Sequence, residues 1–350
     1  MSGHDQSRTF GRIYPPRHDW LSRAEPEAIL DPGLPIIDAH HHLWDGAGRY
    51  LLDEFLADTG SGHNVVASVL VECGYKNRTT GPAELRPVGE VEFAAAIAQQ
   101  ASAVTRTRVA AGIVGHADLT LGDCVEPVLE KLIEAAGGRL CGIRHSAGWH
   151  EDPAIGNNHH GAGPSLYLRE DFRAGLTRLT AMGLPFDALV YHHQHTDLIN
   201  LARACPDATI IMNHTGMPMV YGPFAGKARE VHAQWQVTMA EIARCPNVFM
   251  KLGGMMMRLA AVDYIDSPAP PTSEQLARAW RPYIEPCIDW FGAKRCAFES
   301  NFPVDKMGIG YAVLWNAFKR LAAAGSPDEK SALFSTTARC IYRLDKLIRR

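Results

Sequence analysis

The chain has 350 residues, of which 46% are hydrophobic and 21% are charged, as expected for a soluble globular protein with a sizeable core. Lys and Arg number 35 against 38 Asp and Glu, which gives a formal net charge of −3. So small a charge excludes the basic footprint of a nucleic-acid-binding protein and any general attraction to an anionic membrane. No apolar stretch approaches the ~20 residues that span a bilayer, so no membrane partner is expected.

The N-terminal residues and the cysteines predict a cytoplasmic protein. Residues 1–20 contain no apolar core segment, which argues against a secretory signal. The eight cysteines are scattered and none belongs to a CxxC pair, which argues against a disulfide framework or a zinc ribbon. Residues 1–33 form a predicted N-terminal extension. If this extension packs on a neighbouring copy of the chain, the protein forms a homo-oligomer, and the sequence leaves the oligomeric state open.

Short β-rich runs alternate with helical patterns along the remaining domain, residues 34–350. The predicted strands are 35–40, 65–72, 108–115, 139–145, 186–192, 208–214, 247–253 and 295–301. Helical patterns include 124–138, 171–183, 272–292 and 326–344, and the last two begin with capping boxes, Thr272/Gln275 and Ser326/Glu329. Eight such units predict an α/β fold of the (β/α)8 TIM-barrel class, with long loops over the C-terminal face at 148–168 and 254–272.

A doubly wound open sheet is the rival architecture. It requires a glycine-rich phosphate loop after the first strand, and the sequence there, HHHLWDG, is unlike one.

Polar side chains capable of chemistry follow most of the predicted strands. They are, in chain order, His40, His42, Glu72, His116, Arg144, His145, His192, His214, Lys251, Glu299 and Asn301. The C-terminal strand ends of a (β/α)8 barrel carry its active site. Buried polar groups cost about 1–3 kcal/mol each when unpaired, so stability alone does not explain this concentration. The pattern therefore predicts a polar pocket, with Trp149 as a further lining residue.

The triple histidine at 40–42 has a simple explanation if the first strand ends there. Side chains alternate along a strand, so Asp38, His40 and His42 are expected on one face, with His41 packed behind the barrel. His40 and His42 can then converge on one divalent ion, at roughly 2.0–2.1 Å if it is zinc. Imidazole-rich, sulfur-poor ligands favour zinc or manganese. The alternative is that both rings bind substrate directly and that no metal is needed.

Several motifs together resemble the amidohydrolase superfamily, in its amidohydrolase-2 branch of TIM-barrel hydrolases. They are Asp38-Ala-His-His-His42, GIRH at 142–145, YHHQ at 191–194, NHTG at 213–216, KLGG at 251–254 and SNFPVD at 300–305. The resemblance runs from about residue 34 to 344. Within the branch the chain is most similar to the lactonases of sugar lactones, pyrone dicarboxylates and muconolactone.

The resemblance implies roles for individual positions. His40 and His42 match the His-x-His pair, His192 and His214 match positions that bind ligands or substrate, and Arg144 with His145 matches a substrate-facing pair. One position departs from the pattern, since Asn301 stands where the family usually has an aspartate that binds metal or activates water. Asparagine takes no proton and is a weak ligand. Glu299, two residues earlier, is the predicted replacement, and Asp305 is a weaker candidate.

The favoured function is hydrolysis of a small cyclic ester that bears a carboxylate. Arg144 and Lys251 suit an anionic substrate, Glu299 or His192 would activate water, and His214 would stabilise the oxyanion or protonate the leaving group. Glu72, His116 and His145 would complete the substrate-binding wall.

Structural alternatives exist for the charged residues: Glu299 pairs with Arg144 or Lys251, and Lys251 pairs with Glu72 or Glu299. Two other functions remain open. One is an aromatic-acid decarboxylase or hydratase of the same branch, and the other is a barrel that has lost catalysis and only binds.

Overall fold

The computed structural model describes residues 15–46, 48–152, 155, 162–256 and 267–348. Its strands are β1 (Ile36–His41), β2 (Trp44–Gly46), β3 (Gly48–Tyr50), β4 (Val65–Val71), β5 (Arg108–Gly115), β6 (Leu140–Arg144), β7 (Phe186–Ala188), β8 (Ile210–Met212), β9 (Val248–Leu252) and β10 (Cys296–Phe298). β2 and β3 form a small antiparallel hairpin. The other eight form one parallel sheet in the order β1-β4-β5-β6-β7-β8-β9-β10. Each of these strands begins within two residues of the start predicted from the sequence.

Backbone contacts after β10 join the two edges of this sheet. His41 forms a parallel bridge with Phe302, the Asn301 amide donates to the carbonyl of His40 at 2.8 Å, and the His42 amide donates to the carbonyl of Phe302 at 2.7 Å. The sheet therefore closes into a barrel. The predicted (β/α)8 class is confirmed.

Helices surround the barrel and bury the outward faces of its strands. They are α1 (His18–Leu21), α2 (Leu52–Thr59), α3 (Val88–Val104), α4 (Glu126–Ala135), α5 (Glu170–Ala181), α6 (His195–Ala204), α7 (Ala228–Ala243), α8 (Ser273–Phe291), α9 (Tyr311–Leu321), α10 (Pro327–Ser331), α11 (Thr337–Ile341) and α12 (Asp345–Ile348). Both predicted capping boxes are present, at α8 and α10. The helix expected over 326–344 is divided by a π-helical turn at Ala332–Thr336. No helix within the described ranges is both long and apolar enough to cross a membrane.

The described part of the N-terminal extension packs on its own barrel. The Trp20 indole donates to the carbonyl of Ser267 at 2.8 Å, and the Glu27 carboxylate accepts from the amide of Ser273 at the start of α8 at 2.7 Å. The Asn316 amide on α9 donates to Glu27 at 3.2 Å. Residues 1–14 of the extension, His159 and His160 of the first long loop, and 257–266 of the second lie outside the described residues. The division into extension and barrel, and the homo-oligomer, stay predictions.

The first strand contains a bulge that the alternation rule did not anticipate. Asp38 pairs with Ser68 but His41 pairs with Leu70, so β1 has one more residue than β4 between these points. The expectation that Asp38 shares a face with His40 is therefore wrong: the Asp38 carboxylate accepts from the Tyr311 hydroxyl of α9 at 3.0 Å. His41 does pack behind the barrel, where its ring stacks on Phe55 of α2 with centroids 4.0 Å apart.

Candidate active site

The buried carboxylate of Glu299 lies where the ends of three strands meet. Glu299, just after β10, accepts through Oε1 from the backbone amide of His214 at 3.0 Å and from its Nδ1 at 2.8 Å. Its other oxygen, Oε2, lies 3.0 Å from Nδ1 of His40 on β1. Glu299 and His40 are fully buried and His214 nearly so. The acid and two of the histidines named from the sequence are thus brought together.

Two glycines after β9 make this close approach possible. A Cβ on Gly253 would overlap the side chain and carbonyl oxygen of Glu299. A Cβ on Gly254 would lie 2.6 Å from the ring of His214, and its φ of +65° is one that glycine adopts without strain. The KLGG motif therefore leaves the space in which the acid and the imidazole meet.

His40 and His42 face one another, as expected for a pair that serves one site. Their Nε2 atoms are 3.0 Å apart. Nδ1 of His42 donates to the carbonyl of Val71 at 2.8 Å, which leaves a lone pair on its Nε2. Burial holds the pKa of both rings well below the usual value, assisted at His40 by the Lys251 ammonium and at His42 by the Arg144 guanidinium. Both rings are therefore neutral near pH 7.

The buried cations are paired differently from either sequence expectation. The Arg144 guanidinium donates from Nε to Glu72 at 2.6 Å and from Nη2 to the Glu72 carbonyl. Lys251 donates to Asp187 at 2.7 Å, and the Tyr342 hydroxyl reaches the same carboxylate at 2.9 Å. Lys251 is thus paired with neither Glu72 nor Glu299, and Glu299 is paired with neither cation. Both charges that were expected to meet an anionic substrate are already neutralised inside the protein.

His192 is held as a hydrogen-bond donor. Its Nδ1 accepts from the backbone amide of Met219 at 3.2 Å, so its proton is on Nε2, which has no partner among the described residues. Burial lowers its pKa to about 3. The ring contacts Phe224, with centroids 4.7 Å apart. A ring whose Nε2 carries the proton cannot accept one there, so this geometry weighs against His192 as the base and favours an N–H donor.

His116 and His145 line a cleft of about 960 Å³ at the ends of β5 and β6. His116 donates from Nδ1 to the carbonyl of Arg144 at 2.9 Å, and Nδ1 of His145 accepts from the amide of Leu119 at 3.2 Å. The same cleft is lined by Arg86 and Arg169. The structure therefore places both histidines in the wall of this cleft.

Trp149 follows β6 and is half-buried. Its amide donates to the Gln194 side chain at 3.0 Å, and its carbonyl accepts from Nε2 of His193 at 3.0 Å. These contacts connect the loop after β6 to the one after β7.

Sequence reasoning missed Asp187 and Tyr342 and gave Asp305 little weight. Asp305 accepts from the Asn301 amide at 2.9 Å and from the backbone amide of Met256 at 3.2 Å. Burial raises its pKa to about 8. Asp187 could have been found from the sequence, because an acid inside an otherwise apolar predicted strand must find a partner. Nothing in the sequence pointed to Tyr342, because it lies in the C-terminal segment, far along the chain from the strand ends.

The donor set fits a divalent ion, and three observations support this. The two Nε2 atoms of His40 and His42, 3.0 Å apart, can both lie about 2.0–2.1 Å from one ion. His40, His214 and Glu299 offer ligand atoms within 4.8 Å of one another. A carboxylate against Nδ1 of a histidine is also the usual support for metal-binding imidazoles.

Two cations oppose such an ion. Arg144 Nη1 lies 3.4 Å from Nε2 of His40, and Lys251 Nζ lies 3.3 Å from its Nδ1. Because like charges repel strongly in a buried site, we expect the ion to be exchangeable rather than permanently held.

Comparison with known proteins supplies the family. A family model described as Amidohydrolase matches residues 37–344. An uncharacterized protein of Sinorhizobium fredii, y4mH, is 32% identical over 89% of this chain and 99% of its own length. An L-fucono-1,5-lactonase of Burkholderia ambifaria is 26% identical over 89% and 96%. A crystal structure of a zinc-bound amidohydrolase from Burkholderia multivorans superposes with a TM-score of 0.66 at 22% identity, covering 88% and 99%.

Replacing Lys251 with Met is expected to destabilise the protein by about 3–5 kcal/mol, because it leaves the Asp187 carboxylate buried without its cation. The double variant Lys251→Met/Asp187→Asn, which removes both charges, should lose less than the single variant. Urea unfolding of the three proteins measures both differences. A double variant less stable than Lys251→Met alone would contradict the pairing.

Zinc titrated into chelator-treated protein should bind with about one equivalent per chain, and a second treatment with chelator should remove it. His40→Ala should abolish the binding, as followed by isothermal titration calorimetry. His63→Ala is the matched control, because His63 is a buried histidine that contacts Ala312 and Lys319 instead. Binding that survives in His40→Ala, or none in the parent protein, would exclude this site.

Proposed function

Because the chain belongs to the amidohydrolase family, we propose that it is a hydrolase that opens the ring of a small lactone by attack of an activated water. The observation that carries the proposal is the Glu299 carboxylate, which His214 fixes through Oε1 while Oε2 accepts no hydrogen bond from the described part of the chain. The similarity to L-fucono-1,5-lactonases of two Burkholderia species, each at 26% identity, supports the choice of a lactone.

Each residue of the site has its own role in the proposed hydrolysis. Glu299 takes a proton from water through Oε2, and the water oxygen adds to the lactone carbonyl. The ring C–O bond then breaks, and the proton on Glu299 passes to the departing alkoxide, so one water is consumed and a hydroxy acid is formed. The two N–H groups of His214 hold the carboxylate in place. The Nε2–H of His192 is the donor proposed for the carbonyl oxygen, where negative charge develops.

A divalent ion would be held by His40, His42 and His214, with Glu299 beside the rings of His40 and His214. When bound, it would polarise the carbonyl or lower the pKa of water, as zinc does in related chemistry. Among the metals, the imidazole ligands favour zinc or manganese.

That the substrate carries a negative charge is a separate proposal. A carboxylated lactone remains part of it, but its support moves from the buried Arg144 and Lys251 to the cleft lined by Arg86 and Arg169. Of these two, Arg169 also donates to Asp171 at 2.9 Å. Arginine binds carboxylates through a planar pair of N–H groups, which suits this role. A panel of substrates therefore needs both neutral and carboxylated lactones.

Glu299→Gln should lower the turnover of lactones by about 10²-fold or more, since general bases contribute roughly 10²–10⁴. Gln preserves the shape and can still accept from His214, so the fold should persist. Glu27→Gln is the matched control: Glu27 binds Ser273 and Asn316 at the N-terminal extension, and its loss should leave turnover unchanged. Near-normal activity in Glu299→Gln would remove Glu299 from the reaction.

The same assay separates the alternative functions. Ring opening is followed by acid release from the lactones, and decarboxylation by carbon dioxide from hydroxybenzoates. Carbon dioxide without ring opening would favour a decarboxylase. Binding of a small acid without turnover of any compound would favour a barrel that only binds.

A further inference from the structure

Asn301 and Asp305 form a buried pair in the loop that follows the proposed base, Glu299. Nδ2 of Asn301 donates to Oδ1 of Asp305 at 2.9 Å. Oδ2 of Asp305 accepts from the backbone amide of Met256 at 3.2 Å, so both carboxylate oxygens are engaged and the group is held in one orientation. Because the amide of Asn301 turns its nitrogen to Asp305, its oxygen must point to the other side. Asn301 is 1% exposed and Asp305 is fully buried.

Two buried acceptors are left on this strand end. Oδ1 of Asn301 has no hydrogen-bond partner among the described residues. Oε2 of Glu299 lies 3.0 Å from Nδ1 of His40 but accepts no hydrogen bond from those residues. Each such group costs about 1–3 kcal/mol if it stays unsatisfied. One water molecule carries two O–H donors, and buried waters typically make about three hydrogen bonds to groups of this kind. A single water that donates to both oxygens removes both costs.

We propose that Oδ1 of Asn301 and Oε2 of Glu299 together hold the water that attacks the substrate, and that Asp305 is the positioning residue that turns the Asn301 amide toward it. This inference rests on the proposed hydrolytic function. With both hydrogens of the water donated to the two acceptors, its lone pairs face away from them. One hydrogen passes to Glu299 as the oxygen bonds to the carbonyl carbon, and the other stays on the oxygen.

An amide suits this task because it accepts a hydrogen bond but not a proton near neutral pH. The two acceptors therefore differ in basicity, and only Glu299 can take the proton of the water. An aspartate at the same position would offer a second destination and would place a third carboxylate beside Glu299 and Asp305.

Asn301→Leu removes the acceptor at similar volume. It should lower kcat about tenfold, the rate equivalent of one hydrogen bond, with KM within about twofold of the parent. Asp305→Leu should likewise lower kcat and leave KM nearly unchanged. Asp305→Asn still offers an oxygen to Nδ2 of Asn301 and should therefore retain most of the parent kcat. Asn316→Leu is the matched control: Asn316 is equally buried but binds Glu27 and Ala28, so its loss should lower the melting temperature without lowering kcat.

A high-resolution crystal structure tests the water independently of turnover. The parent protein should show a water within hydrogen-bond distance of both oxygens, and Asn301→Leu should lack it. A parent structure without that water overturns the inference, as does an unchanged kcat in Asn301→Leu. A raised KM with unchanged kcat also overturns it, because the acceptor would then hold a substrate hydroxyl. If the parent opens no lactone, the proposed function fails, and the crystallographic result still decides whether the water site exists.

Discussion

The contact on which the site depends is the pair of hydrogen bonds that His214 donates to Oε1 of Glu299. It joins the end of β10 to the end of β8, while the second oxygen of the same carboxylate lies against His40 on β1. Barrel closure relies on the same region, since the amide of Asn301 bonds to the carbonyl of His40. A change that displaces the carboxylate would therefore disturb the seam of the barrel together with its chemistry. Gly253 is part of this constraint, because any side chain there would occupy the volume of Glu299.

Charge inside the barrel is neutralised locally, pair by pair. Glu72 neutralises Arg144, and Asp187 neutralises Lys251 with help from Tyr342. Removing one member of such a pair is costly, whereas the intact pair contributes little net stability. The pairs nevertheless place two positive charges within 3.4 Å of the nitrogens of His40. Together with burial, which is the larger cause, they hold the pKa of that ring well below its usual value and oppose the binding of a cation there.

The sequence predicted the barrel well because strand periodicity and strand ends depend on local pattern. The strand starting at Arg108 and the capping box of Thr272 follow directly from neighbouring residues. The pairing of side chains inside the barrel, by contrast, depends on contacts between residues that are far apart in the sequence. The sequence offers Lys251 several acids as partners, Glu72 and Glu299 among them, and its pairing with Asp187 depends on which strands are adjacent and how far each side chain reaches. The bulge in β1, which turns Asp38 toward α9, is likewise invisible to a rule of strict alternation.

Asparagine at position 301 becomes understandable once its neighbours are known. Its backbone has φ of +53°, in the left-handed region that asparagine and aspartate tolerate better than most residues. Aspartate would satisfy that backbone equally well, so conformation does not explain the choice. Charge does, because Glu299 and Asp305 are both fully buried nearby and burial already raises the pKa of Asp305 to about 8. A third carboxylate between them would suffer repulsion from both, whereas the amide donates to one and leaves its oxygen as a neutral acceptor. An amide at position 301 thus allows two buried carboxylates nearby without adding a third negative charge.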